Sequence, residues 1–161
     1  MSLKKRNPHW SKPDPAAVLC DLMKFLGPGS PKVSLKASDG EVPAPLYLLQ
    51  ARSPVLNAYF SHDTKEKQDL NVDMSDFDSL TIQSLVNFLE TGQIKNDGKI
   101  ALNLYILADK YNIRDLLTGA REAIRAFIDD LDSKEVFDAM VKIEPDFVAD
   151  MFIEGYTRAY Y

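Results

Sequence analysis

Cysteine is almost absent from the chain, Cys20 being the single one. No disulfide can close within it, and a reducing compartment, cytoplasm or nucleus, is the expectation. Histidine is nearly as scarce. His9 and His62 lie far apart in sequence, which excludes a histidine-rich metal site and leaves too few ligands for a Cys/His zinc site. A basic excess is missing too: 24 acidic against 19 basic side chains give a net charge of −5, the wrong sign for a phosphate-binding domain. No apolar run approaches the roughly 20 residues that span a bilayer, and the N-terminus has no apolar signal core. There is no Asn-x-Ser/Thr sequon. No glycine-rich phosphate loop occurs, because Gly27 and Gly29 lack a third glycine and a preceding strand. No Gly-x-Ser-x-Gly elbow occurs either. Cys20 sits among apolar residues, where it reads as a small hydrophobe. Asp129, Asp130 and Asp132 cluster before a helix start, where carboxylates cap and complement the dipole. The cluster lacks the glycine and terminal glutamate of a calcium loop. The expectation is a non-enzyme with no cofactor, no metal and no nucleic-acid, membrane or small-molecule partner.

What remains is an ordinary globular composition. The 161 residues are 45% hydrophobic and 27% charged, enough for one domain or one domain with an appendage. Residues 1–13, with Lys4, Lys5, Arg6, Pro8 and Pro13, read as a flexible tail. A helix is predicted over 14–26, capped by Asp14, with Pro15 in its first turn and Gly27-Pro28 at its end. Its apolar face, built from Val18, Leu19, Leu22, Met23, Phe25 and Leu26, must bury against its own domain or another subunit.

After a stiff Pro-Gly-Ser-Pro linker, Val33, Leu35 and Ala37 alternate with polar residues, as in a half-buried strand. Asp39-Gly40 signals a hairpin turn, and the return strand near Val42 is expected to be cut short by Pro43 and Pro45. Two short helices follow, over 46–51 and 54–61, the second capped by Ser53 with Pro54 first. A polar stretch fills 61–69, and Leu70, Val72 and Met74 alternate as a third strand. Helices are then predicted over about 78–90, 99–110, 114–128, 133–142 (capped by Ser133) and 146–158. A small three-stranded sheet covered by helices is an α+β domain of mostly helical character.

Several stretches carry a family likeness. Val33-Ser-Leu-Lys-Ala-Ser-Asp-Gly-Glu-Val, then Leu48-Leu-Gln-Ala-Arg-Ser-Pro-Val-Leu-Asn-Ala-Tyr-Phe60, resembles the opening of a BTB/POZ domain. Leu85-Val-Asn-Phe-Leu-Glu-Thr-Gly-Gln-Ile94 and Leu107-Ala-Asp-Lys-Tyr-Asn-Ile-Arg-Asp-Leu116 resemble two later helix ends of that family, in the same order and spacing. The likeness covers residues 14–128. Residues 129–161, opening with Asp130-Leu-Asp-Ser-Lys-Glu-Val136, resemble the helical pair that follows the domain in cullin adaptors, the three-box.

The resemblance implies a BTB/POZ fold with an N-terminal dimerisation helix over 14–26 and a helical extension over 129–161. It implies a homodimer with Val18, Leu19, Leu22, Met23, Leu26 and Val33 at the interface. It also implies a cullin-type ubiquitin ligase as partner, contacted through Tyr59, Phe60, Thr64, Lys65, Glu66 and Tyr111, with the helical pair extending the cullin-binding groove. Where the family carries an apolar residue two positions before the glutamate of that loop, this chain has Thr64. Lys32 stands in place of the family's aspartate before the first strand, and Ala44-Pro45-Leu46 in place of its Ala-His-Lys/Arg, so the charged pairing that lines a corepressor groove cannot form. Two other readings share the fold. One is a self-assembly scaffold without a cullin. The other is a monomeric elongin-like adaptor, hinted at by Ser38–Glu41.

Overall fold

The computed structural model describes residues 29, 31–61, 69–94, 97–127 and 131–150. The helix expected over 14–26, the polar loop over 62–68 and the last helix beyond 150 lie outside the described residues.

The alternation in the first strand is realised. β1 (Lys32–Lys36) points Val33 and Leu35 into the core, where both are fully buried, while Lys32 and Lys36 stay in solvent. β1 is the centre of a three-stranded sheet of order β2-β1-β3. β2 (Glu41–Pro45) pairs with it antiparallel and β3 (Asn71–Asp73) parallel. Leu35 sits opposite both Val42 and Val72, so one apolar row crosses the sheet.

The two prolines do not shorten β2, which runs through to Pro45. The Ser34 N–H donates to the Leu70 carbonyl and the Met74 N–H to the Lys36 carbonyl. The even-numbered residues of β1 therefore face β3, and Val33 and Leu35 face β2. Val42 and Ala44 take the inward positions of β2, and Pro43 and Pro45 the outward ones. Proline has no N–H to offer there, so the edge keeps its pairing to β1 and loses donors on its free side.

The hairpin turn is displaced by one residue from Asp39-Gly40. The Ala37 N–H donates to the Gly40 carbonyl, which encloses Ser38 and Asp39, and neither Asp39 nor Gly40 has a positive φ. The physical reason is a competing use for Asp39. Its carboxylate accepts from the Ser79 N–H at 2.6 Å and the Ser79 hydroxyl at 3.1 Å.

The helices follow as α1 (Leu46–Arg52), α2 (Pro54–Ser61), α3 (Ser79–Thr91), α4 (Gly98–Lys110), α5 (Arg114–Ala126) and α6 (Ser133–Ile143), with further helix over 145–150. Their ends are chemically marked. Asp78 caps α3 by accepting from the Thr81 N–H, and Gly92 closes it at φ 73°, a conformation glycine adopts without a Cβ penalty. Asp97 caps α4 through the N–H groups of Lys99 and Ile100. The cap of α6 is Asp132, not Ser133, because its carboxylate accepts from the N–H groups of both Lys134 and Glu135. Leu48, Leu49, Leu56, Ile82, Leu85, Leu104 and Leu107 are fully buried between the sheet and the helices. Leu117 and Phe127 are only partly covered.

Candidate interaction surface

α2 is amphipathic over two turns. Leu56 and Phe60, four residues apart, point inward, which turns Tyr59 outward, where it is 38% exposed. The start of α2 is fixed by Ser53. Its hydroxyl accepts from the Leu56 N–H at 3.1 Å and donates to the Tyr111 carbonyl at 2.6 Å. One buried Oγ thus ties the opening of α2 to the end of α4, and each polar group involved is satisfied. At that end Asn112 takes a left-handed φ of 51°, which asparagine tolerates better than most residues.

Tyr111 is 2% exposed. Burial, helped by the neighbouring Tyr59, Asp76 and Asp73, pushes its phenol up to about 12. The ammonium of Lys110 lies 5.7 Å from the Tyr111 ring and 6.0 Å from the Phe77 ring and pairs with Asp76 at 2.6 Å. Tyr59, Lys110 and Asp76 are therefore neighbours of one buried tyrosine.

Lys110 also borders a groove. Between α4 and α6 lies a cleft of about 650 Å³, with Leu102, Ile106, Ala139 and Ile143 as its apolar part. Lys99, Asp109, Lys110, Glu135, Asp138 and Lys142 provide charges of both signs around it. Ile106 is 38% exposed there. Lys110 thus lines this groove and also stands over the ring of Tyr111.

The expected contact residues divide accordingly. Tyr59 is at the surface. Phe60 and Tyr111 lie in the core, so they position the surface without offering their own side chains, and their expected direct contact is corrected on that ground. The same holds for Val33, which is 0% exposed and so has no side-chain surface for a second copy. Thr64, Lys65 and Glu66, with Val18, Leu19, Leu22, Met23 and Leu26, lie outside the described residues. Sequence reasoning missed Ile106, Ala139 and Ile143. The available signal was that Ile106 falls off the Leu104–Leu107 face of α4, an apolar residue left without a core to join.

Among the described residues no group of His, Cys, Asp and Glu could hold a metal ion. No described helix is long and apolar enough to cross a membrane. The family model for the BTB/POZ domain matches residues 31–127. The chain belongs to the BTB/POZ family. A BTB/POZ domain-containing protein of Arabidopsis thaliana is 33% identical over 110 residues, covering 67% of this chain and 32% of that protein. TD and POZ domain-containing protein 4 of Mus musculus is 30% identical over 93 residues, covering 56% of this chain and 25% of its own. The chain thus spans about a third or less of the curated relatives it matches.

The BTB domain of human gigaxonin superposes with a TM-score of 0.54 at 20% identity, over 68% of this chain and 92% of that one. The BTB domain of zebrafish PATZ1 does so at 0.53 and 19%, over 69% and 91%. These likenesses establish the α+β BTB fold. BTB/POZ domains are in general protein-interaction modules and not enzymes.

Proposed function

We propose that this BTB/POZ chain is a homodimeric adaptor that brings a partner to a cullin-type ubiquitin ligase, in the cytoplasm or nucleus. The observation that carries the reading is the apolar cleft between α4 and α6, with charges of both signs around it and Lys110 at its edge. An apolar cleft with charges around it is the composition of an interface centre with a polar rim. The groove lies where the helical extension meets the domain, which is where the likeness to cullin adaptors puts partner binding. The homodimer is supported by the apolar face of residues 18–26, and the compartment by the single cysteine.

The test is titration calorimetry of the chain against the N-terminal domain of a BTB-binding cullin. Submicromolar binding that Tyr59→Ala weakens by tenfold or more, about 1.4 kcal/mol, is the expected result. Absence of binding at high micromolar concentration overturns the cullin reading and leaves a self-assembly scaffold, the outcome favoured by Thr64. The dimer is tested separately by light scattering. Leu19→Asp with Leu22→Asp converts a two-chain mass to one, because each change would bury an unpaired charge. A double variant that keeps the two-chain mass removes segment 14–26 from the interface.

A further inference from the structure

Two polar ties bracket the α4–α6 groove. At the N-terminal ends of the two helices, Lys99 Nζ donates to Glu135 at 3.0 Å. Both partners are more than half exposed, and an ion pair in that setting contributes little. At the other end stands Glu144, the C-cap of α6. Its Oε2 accepts from the Tyr105 hydroxyl at 2.7 Å and its Oε1 from Arg121 Nη1 at 3.0 Å. Tyr105 belongs to α4 and is fully buried, Arg121 belongs to α5, and Glu144 is 22% exposed. Both carboxylate oxygens are thus used, by two different helices, in a setting that screens poorly. Three residues on, Phe147 lies 4.5 Å from the Arg121 guanidinium and 5.5 Å from that of Arg125.

We infer that Glu144 is the latch that holds residues 133–150 on the rest of the domain, and that through it one carboxylate sets the width of the α4–α6 groove. It acts by position, since it does not itself line the groove. Its neighbours do so, Ile143 on one side and, through Tyr105, Ile106 on the other. Val136, Met140 and Val148 are buried in the described part of this segment, and Leu131, Ala139, Ile143 and Phe147 pack against the core partly covered, so the latch adds direction to an apolar contact that has none of its own. The closed state also carries a cost. Arg121 Nε is buried without a hydrogen-bond partner among the described residues, its nearest carboxylate oxygen being Glu122 Oε1 at 3.8 Å. Opening the latch lets water reach that donor. A docked arm with one decisive polar tie and one unsatisfied donor is poised to detach before the domain unfolds.

The inference is tested by amide hydrogen exchange on the whole chain. Glu144→Ala speeds exchange across 133–150 by about tenfold or more, while amides of β1 and of the fully buried part of α3 keep their wild-type rates. Glu144→Gln, which retains an acceptor oxygen, lies between the two. The paired exchange Arg121→Glu with Glu144→Arg restores slower exchange than Glu144→Ala, because opposite charges again meet. Unchanged exchange across 133–150 in Glu144→Ala, or an equal rise throughout the chain, overturns the latch. A second arm rests on the reading of the preceding subsection. Glu144→Ala lowers affinity for the cullin N-terminal domain while Lys99→Ala leaves it within about twofold, and equal effects of the two overturn the assignment of groove width to Glu144. Should the wild-type chain bind no cullin, that reading falls and the exchange result alone decides the latch.

Discussion

Residues 31–127 and residues 131–150 are held in place by different physics. The first region closes around Leu35, Leu48, Leu49, Leu56, Ile82, Leu85, Leu104 and Leu107, all without solvent exposure. Its polar ties, such as the Ser53 hydroxyl between α2 and Tyr111, sit inside that closure. The second region buries Val136, Met140 and Val148, packs Leu131, Ala139, Ile143 and Phe147 against the core partly covered, and is further fastened by Glu144 and the Arg121–Phe147 stack. Apolar burial is worth roughly 25 cal/mol per Å² and has no direction. Hydrogen bonds are directional but yield little net. A region built on the first resists local change. A region built on the second keeps a defined position and can be released by one substitution. The groove lies on the boundary between the two.

The comparison is broken most forcefully by a cavity on the domain side. Leu104→Ala removes a fully buried side chain and is expected to cost about 3–5 kcal/mol, lowering the main transition in urea. Met140→Ala, in the extension, is expected to cost about 2 kcal/mol, at the low end for such a truncation. Its loss appears as early exchange of 133–150 with the main transition little moved. Equal shifts of one shared transition by the two variants would make the regions a single cooperative unit.

The smallest effect sharpens the domain side alone. Hydrogen bonds from the Thr81 side chain and N–H hold the Asp78 carboxyl below its usual range. A depressed folded value means this cap stabilises above the ordinary carboxylate pKa of about 3.9, and the contribution is lost as pH falls through the lower folded value. Asp78→Ala is expected to remove about 1 kcal/mol at pH 7, with a smaller difference from wild type at pH 3. A difference that persists unchanged at pH 3, measured by urea unfolding, would show that Asp78 does not act through its charge.

Much of the fold was legible along the chain. The alternation of Val33 and Leu35 and the proline opening of α2 each specify local geometry through one or two residues. The α6 cap, read as Ser133, was off by one residue and lies on Asp132, while the other misreadings share one cause, which is competition decided at a distance. Asp39-Gly40 was read as the turn pair, yet the turn closes one residue earlier and the Asp39 carboxylate accepts from Ser79, forty positions on. Pro43 and Pro45 were read as strand breakers, yet they face away from β1, and only the register says so. Phe60 and Tyr111 belong to motifs of contact residues, and packing put both inside.

The sequence by itself determined the class of this protein. Its periodicities and caps define a small helical α+β domain, and its motifs place it in the BTB/POZ family. Those are properties of neighbouring residues, set by backbone geometry and side-chain polarity over a few positions. Which surface such a domain offers was decided only by the tertiary structure. Tyr59 became available because Leu56 and Phe60 took the inward face of α2. The groove exists because α6 comes to lie beside α4 and Glu144 meets Tyr105 across thirty-nine residues of chain. Burial and long-range hydrogen bonding depend on where distant segments meet, and no local pattern carries that.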